Sequence, residues 1–368
     1  MLSGTMPTLA TGLDFTATRL GVIMRPQAGQ PHETWGVLNP GGTRAADETM
    51  HLFPRLIAEG NYSRIGHTRV LFKAETPVAV ERLGVALEPH ESYEVNSGGG
   101  GVEDPRVVYV PRLKRYVMTY TAFVPYEPRV AVAVSSDLLT WQRLGCLRFE
   151  LMADGRDLNT CGNKDAAFFP EVVSDPQGVP SFAILHRPTT RLHFRRYHDG
   201  TKIVQPPSGD ETRENIWISY IAVTTVLEDI ASLTAVRRHE RVMAPEQSWE
   251  TKKVGTGAPP VRLTYGWILT YHAVSAPNGY PRYCMGVAVL DGERPSRVLY
   301  RSPLPILEPQ EDYERNGLVN EVVFPSATDL RADGALDVYY GAADRVIAAA
   351  RVTLPGTLPN LGATSNGG

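Results

Sequence analysis

Residues 103–145 read EDPRVVYV, a turn PRLKR, YVMTYTAF, a short joint, and RVAVAVSSDLLTWQRLG. Hydrophobic and polar residues alternate in these runs with a period near two, the spacing of strands whose side chains point to opposite faces. The segment therefore predicts a set of antiparallel strands rather than a helix.

The same phrase recurs. From Lys164 the chain reads KDAAFFPEVV, turns at Asp175–Gly178, continues as SFAILHRP and closes with IWISYIAV from Ile216. Another copy begins at Gly257 with GAPPVRL, runs through WILTYHAV and ends in RYCMGVAVL, and a further one from Asn320 reads NEVVFPSATDL, RADG, ALDVYYGAAD and RVIAAARVTL. A weaker copy spans residues 52–75. Five units at spacings of about 40 to 60 residues predict an all-β five-bladed β-propeller with a central active-site channel. The competing architecture is a two-sheet sandwich. On the propeller reading, residues 1–353 are one catalytic domain and 354–368 a disordered tail. The polar insert Thr189 to Asn215 reads as a long loop over one face.

Composition agrees. There are 33 glycines and 29 prolines in 368 residues, a supply of turn formers, while 42 % hydrophobic and 21 % charged residues exclude an unfolded or fibrous chain. A net charge of −3 with no Lys/Arg run leaves nothing to neutralise a phosphate backbone, so nucleic acid is not an expected partner. Three cysteines without a CxxC pair fit a reducing compartment. Apolar runs never reach the roughly 18 residues of a membrane span, and a cytoplasmic protein is expected. With neither coiled coil nor apolar arm, a homo-oligomer stays open.

In a propeller, polar residues at equivalent points of successive units converge on the axis. Those points carry Glu103-Asp104-Pro105-Arg106, Asn163-Lys164-Asp165 and Asn320-Glu321, and the second-strand ends carry Tyr120, His186-Arg187, Tyr271-His272 and Tyr340 to Asp344. Carboxylates, cations and aromatics around one pocket suit a sugar site. Each has a plainer alternative: Asp before Pro caps turns, Lys164 beside Asp165 makes a solvated pair, His272 packs in a core, and the tyrosines pack blades. Signatures of serine hydrolases, zinc proteases and P-loops are missing, and the histidines show no ligand spacing, so neither metal nor organic cofactor is expected. The Ser97–Gly101 run precedes a strand rather than a helix, and reads as a close backbone approach leading into Asp104.

Taken together, GGGGVEDPRVVYV, NKDAAFFPE, ILHRP, GTGAPPV with GWILTYHAV, and EDYERNGLVNEVVFP with DVYYGAADRVI resemble glycoside hydrolase family 130, the mannoside phosphorylases and related β-mannosidases, over residues 50 to 352. The resemblance implies a five-bladed propeller and inverting attack on a β-mannoside, by inorganic phosphate in the phosphorylases, giving α-mannose 1-phosphate, or by water in the β-mannosidases. It makes Asp104 the proton donor, acting through a mannosyl hydroxyl, and Asp344 a ligand of the mannosyl unit. It assigns phosphate binding to Lys164, Arg187, His272, Arg64 and Tyr283. Glu103 and Arg106 would fix the rotamer of the acid, Asp165 would orient Lys164, and Glu103, Asp165, Tyr120 and Glu321 complete the substrate-side candidates. Phosphate brings its own nucleophilic oxygen and needs cations rather than a base, so several cations near Asp104 favour phosphorolysis. A hydrolase would need a second carboxylate to activate water, for which Glu321 is the candidate. A glycan-binding propeller without catalysis is the third reading.

Overall fold

The alternating segment folds as four antiparallel strands in chain order: Gly100–Val110, Arg115–Val124, Glu127–Ser135 and Gln142–Cys146. The structure, a computed structural model, describes residues 15–95, 99–124, 127–189 and 213–356, and these are all-β with a few short helical turns.

Four more runs repeat the pattern. The first is Gly36–Arg44, Met50–Ala58, Tyr62–Lys73 and Thr76–Leu87. The third is Asn163–Phe168, Pro180–Pro188, Ile216–Ala222 and Ala235–Met243. The fourth is Lys253–Thr256, Gly266–Ser275, Arg282–Leu290 and Val298–Arg301. In the last, Val323–Leu330, Leu336–Ala342 and Val346–Thr353 are completed by Thr16–Met24, the first strand of the described chain. Hydrogen bonding joins these runs into four sheets, because Tyr62 and Ser63 pair in parallel with Gly100 and Gly101 and weld the first two runs into one eight-stranded sheet. Gly101 permits that weld: a Cβ on it would lie 2.4 Å from the Ser63 carbonyl oxygen, and its φ is +104°. The expected close approach thus holds at Gly101, whereas Ser97 and Gly98 lie outside the described residues.

Apolar side chains bury themselves between neighbouring runs. Phe53 and Ile65 of the first pack with Met118 and Ala131 of the second, and Val132 with Phe182 of the third. Leu185 and Ile218 pack with Leu269, Ile268 with Val338, and Tyr339 and Ile347 return to Leu52 and Leu56 of the first run. Five clusters thus link five runs in cyclic order.

A polar device recurs beneath these clusters. Residues 88–94, 244–250 and 308–314 read EPHESYE, APEQSWE and EPQEDYE, and each ends in a fully buried glutamate. Glu94 accepts from Tyr120 (2.5 Å) and Arg143 (2.9 Å), Glu250 from Tyr271 (2.8 Å) and Arg301 (2.6 Å), and Glu314 from Tyr340 (2.8 Å) and Arg19 (2.9 Å). Each tyrosine stands on the second strand and each arginine on the fourth, so the carboxylate ties the approach segment across its own sheet. A buried charge persists only when paired in this way. Arg19 comes from the N-terminal strand, which makes this tie part of the closure between chain ends.

The insert's residues 190–212 and the tail's 357–368 lie outside the described residues. Leu354 packs on the last core cluster and Pro355 accepts a hydrogen bond from Tyr265 Oη at 3.1 Å, so the anchored chain runs past the expected boundary at residue 353. Among the described residues no helix is long and apolar enough to cross a membrane.

Candidate active site

The first strands of three runs share one local irregularity. Gly36–Arg44, Gly100–Val110 and Asn163–Phe168 each slip register with their neighbour, between Leu38 and Gly41, Glu103 and Arg106, and Lys164 and Ala167. Inside each slip a non-glycine residue takes a positive φ: Asn39 at 43°, Asp104 at 47° and Asp165 at 53°. Pro40 and Pro105, which follow directly, cannot donate to the ladder, and a bulge re-aims the side chain that would otherwise face a sheet surface. Asp344, just beyond the Leu336–Ala342 strand, adopts a φ of 50°. Such conformations cost of order 1–3 kcal/mol each and persist only where the surroundings impose them.

The bulges bring Asn39, Glu103 and Asp104 together around Arg55. Asn39 Nδ2 donates to Asp104 Oδ1 at 2.9 Å, Arg55 donates to the same oxygen at 3.3 Å and to Glu103 Oε1 at 2.7 Å, and Lys164 Nζ lies 3.8 Å from Asp104 Oδ2. Burial pushes the Asp104 carboxyl upward, but Arg55, Lys164 and Arg106 outweigh it and hold it below the usual range. For Glu103 burial wins over Arg55, and its carboxyl is raised. Asp344 is the outlier. Burial, with the charges of Asp104 and Glu103, raises it to about 6 against the pull of Arg55 and Lys164. The site thus holds an ionised carboxylate beside one that exchanges its proton near neutrality.

Asp165 organises the other half. Arg187 donates to its Oδ2 from Nε (2.7 Å) and Nη2 (2.6 Å), and His272 Nε2 lies 3.5 Å from the same oxygen. Burial opposes ionisation of Asp165, yet Arg187 and Lys164 drive its carboxyl far below the usual range. Gly255 allows this packing, since a Cβ there would sit 2.3 Å from the His272 ring and 2.7 Å from Asp165. The His272 ring lies tilted against Phe324 with centroids 4.4 Å apart, and Lys253 Nζ lies 5.3 Å from the centre of the Tyr283 ring. Tyr283 is pushed up to about 12 by burial and by Asp344. Arg106 joins the halves, donating to the Gly257 carbonyl at 2.5 Å and the Asp104 carbonyl at 2.9 Å.

Of the residues singled out from the sequence, Glu103, Asp104, Lys164, Asp165, Arg187, His272, Tyr283 and Asp344 are brought into this cluster. Three are not. Tyr120 is a core side chain committed to Glu94, Arg64 pairs with Glu88 over the Tyr62 ring, and Glu321 faces Arg282 at 3.3 Å and Arg315 at 3.9 Å. Burial and the nearby cations hold the pKa of His272 well below the ordinary value despite Asp165, leaving the ring neutral. Asp165 pairs with Arg187 rather than orienting Lys164. Sequence reading passed over Asn39, Arg55, Lys253 and Glu214. The Asn39-Pro40 pair echoes Asp104-Pro105 and was a usable signal; Lys253 and Glu214 sit in no repeated phrase. Among the described residues no group of His, Cys, Asp and Glu is arranged to hold a metal.

A family model described as beta-1,4-mannooligosaccharide phosphorylase, that of glycoside hydrolase family 130, matches residues 16–358. The chain is 29 % identical over 336 residues to a 1,2-beta-oligomannan phosphorylase of Thermoanaerobacter sp. (strain X514), covering 89 % of this chain and 93 % of that one. It is 31 % identical over 260 residues to a beta-1,2-mannobiose phosphorylase of the same organism, covering 70 % and 68 %. Among solved structures, the beta-1,2-mannobiose phosphorylase of Listeria innocua in complex with beta-1,2-mannobiose superposes with a TM-score of 0.67 at 21 % identity, over 92 % of this chain and 96 % of that one.

Proposed function

The chain belongs to glycoside hydrolase family 130, and on that premise we propose that it cleaves a β-mannoside with inorganic phosphate, with inversion, releasing α-mannose 1-phosphate. One observation carries the reading: the Asp104 carboxylate lies 3.8 Å from Lys164, in a buried cluster that continues through Asp165 to Arg187. Asp104 and Asp344 take the non-reducing mannose, and Lys164, Arg187, Lys253 and Tyr283 receive the phosphate. Phosphate attacks the anomeric carbon from the face opposite the leaving sugar, which takes a proton originating on Asp104. Charge neutralisation and aim are what this nucleophile requires, and the cations supply both. Asp104 is ionised in the unliganded protein. Excluding water with the sugar and drawing Lys164 toward phosphate both raise its carboxyl toward the protonated form the reaction needs. Neutral His272 keeps one ring N–H, and both its ring nitrogens are unpartnered, so it can donate to phosphate without a change of charge.

We read the five antiparallel runs as blades of a propeller around this cluster. Their cyclic core contacts, the N-terminal strand completing the last run and the recurring Glu–Tyr–Arg ties support it. A cytoplasmic setting fits three cysteines that are all free. The two relatives described above carry β-1,2 names and the family model a β-1,4 one, so the test uses both linkages. Incubating β-1,2- and β-1,4-mannobiose with and without inorganic phosphate should yield mannose 1-phosphate only when phosphate is present. Free mannose at the same rate without phosphate would replace this reading with hydrolysis.

A further inference from the structure

Arg187 is buried, and its guanidinium is shared by two carboxylates. Asp165 takes Nε and Nη2, and Glu214 pairs with Nη1 through Oε2. The two anions are held very differently. Asp165 stands at a bulge of the Asn163–Phe168 strand, is inaccessible, and also faces His272. Glu214 belongs to no strand. Its backbone makes one parallel bridge to Lys253 and accepts from the Val254 amide at 3.1 Å, and its side chain keeps 17 % exposure. That anchor holds the Glu214 backbone beside Lys253, while its carboxylate reaches Arg187.

We propose that Glu214 acts as an internal anion that occupies Arg187 in the unliganded protein and is displaced by phosphate, so that it sets the affinity for the nucleophile; this rests on the phosphorolytic reading above. The chemistry is an exchange of ion pairs with no covalent step. Arg187 already has one permanent counter-charge in Asp165, and a phosphate dianion beside a second carboxylate would face like-charge repulsion in a dry site. Glu214 must therefore swing outward, and its partial exposure gives it water to swing into. Apparent phosphate affinity falls by the fraction of molecules in which Arg187 is open: with the pair closed in nine molecules of ten, the loss is about tenfold. The pair also keeps the Nη1 end of Arg187, which Asp165 does not reach, partnered between turnovers.

The test is calorimetric titration of Glu214→Gln and Glu214→Ala with inorganic phosphate, alongside initial rates at varied phosphate and varied mannobiose. The glutamine variant, isosteric and uncharged, decides the matter should the alanine variant fold poorly. Expected is a drop of about tenfold in both the Kd and the KM for phosphate, with the mannobiose KM unchanged. Phosphate affinity that is unchanged or weaker in a variant of wild-type melting temperature would overturn the proposal, making Glu214 a structural partner of Arg187. A wild-type protein that binds no phosphate and releases free mannose would instead overturn the phosphorolytic reading, and this inference with it.

Discussion

Replacing Lys164 with methionine keeps the length of the side chain and deletes its charge, and two effects follow from its place beside Asp104. At 3.8 Å the Lys164–Asp104 attraction has an upper bound of about 4 kcal/mol at an effective dielectric of 20. Lys164 keeps 25 % exposure and Arg55 holds the other Asp104 oxygen, so screening reduces the loss to about 1–1.5 kcal/mol, or about one pH unit. The sign is fixed by the cause. Lys164 lowers the Asp104 carboxyl, so deleting it raises the carboxyl and leaves more of it protonated at neutral pH. Because the reaction consumes the protonated form, the alkaline limb of the kcat profile should move up by about one pH unit. The second effect is on the nucleophile: losing one charge-assisted contact worth roughly 1.5–3 kcal/mol should raise the phosphate KM about 10- to 100-fold. Both are read from initial rates of mannose 1-phosphate release between pH 5 and 9 at varied phosphate, a range spanning the affected group. A phosphate KM within twofold of wild type, with an unmoved alkaline limb, would refute the placement of Lys164 between acid and anion.

Tyr120→Phe removes one hydrogen bond to buried Glu94 and should cost about 1–2 kcal/mol in thermal or urea unfolding while both KM values hold; a raised mannobiose KM would return Tyr120 to the sugar site. Gly255→Ala forces a methyl into His272 and Asp165, and should reduce kcat/KM for phosphate by about 100-fold or more with a stability loss of about 1–3 kcal/mol, whereas near-normal kinetics would show that this packing is dispensable. Arg19→Ala strands the buried Glu314 carboxylate and should cost about 2–3 kcal/mol at pH 7 by denaturant titration. Burial raises Glu314, but bonds from Arg19 and the Gln310 and Glu311 amides win and lower it, so its contribution is present above the ordinary carboxylate range and disappears as pH falls through the lowered value. The stability gap between wild type and Arg19→Ala should consequently narrow on acidification; a gap that stays constant down to about pH 3 would remove Glu314 as the cause.

Much of the architecture was legible because strand alternation is a local property. Residues 103–145 announce their strands without reference to the rest of the chain, and the recurring phrase counts the units. Eight of the residues singled out for the site do meet, at the bulges and strand ends that the repeated phrase marks, with Asp104 lying 3.8 Å from Lys164. What alternation cannot carry is pairing between distant segments. The Thr16–Met24 strand pairs with Val346–Thr353 at the far end of the described chain, and Arg19 reaches Glu314 across 295 positions. Tyr120 and Tyr283 sit in similar aromatic strands, yet a buried glutamate claims one and the cation cluster lies beside the other. Charge state is likewise decided in three dimensions. Asp104 and Asp344 are the same side chain in sequence, but Arg55 and Lys164 hold one below the usual carboxylate range while burial beside two other acids lifts the other to about 6. Electrostatic environment is a sum over neighbours that only folding assembles, so the order of residues could nominate the ionisable groups, and the packed structure assigned them their protons.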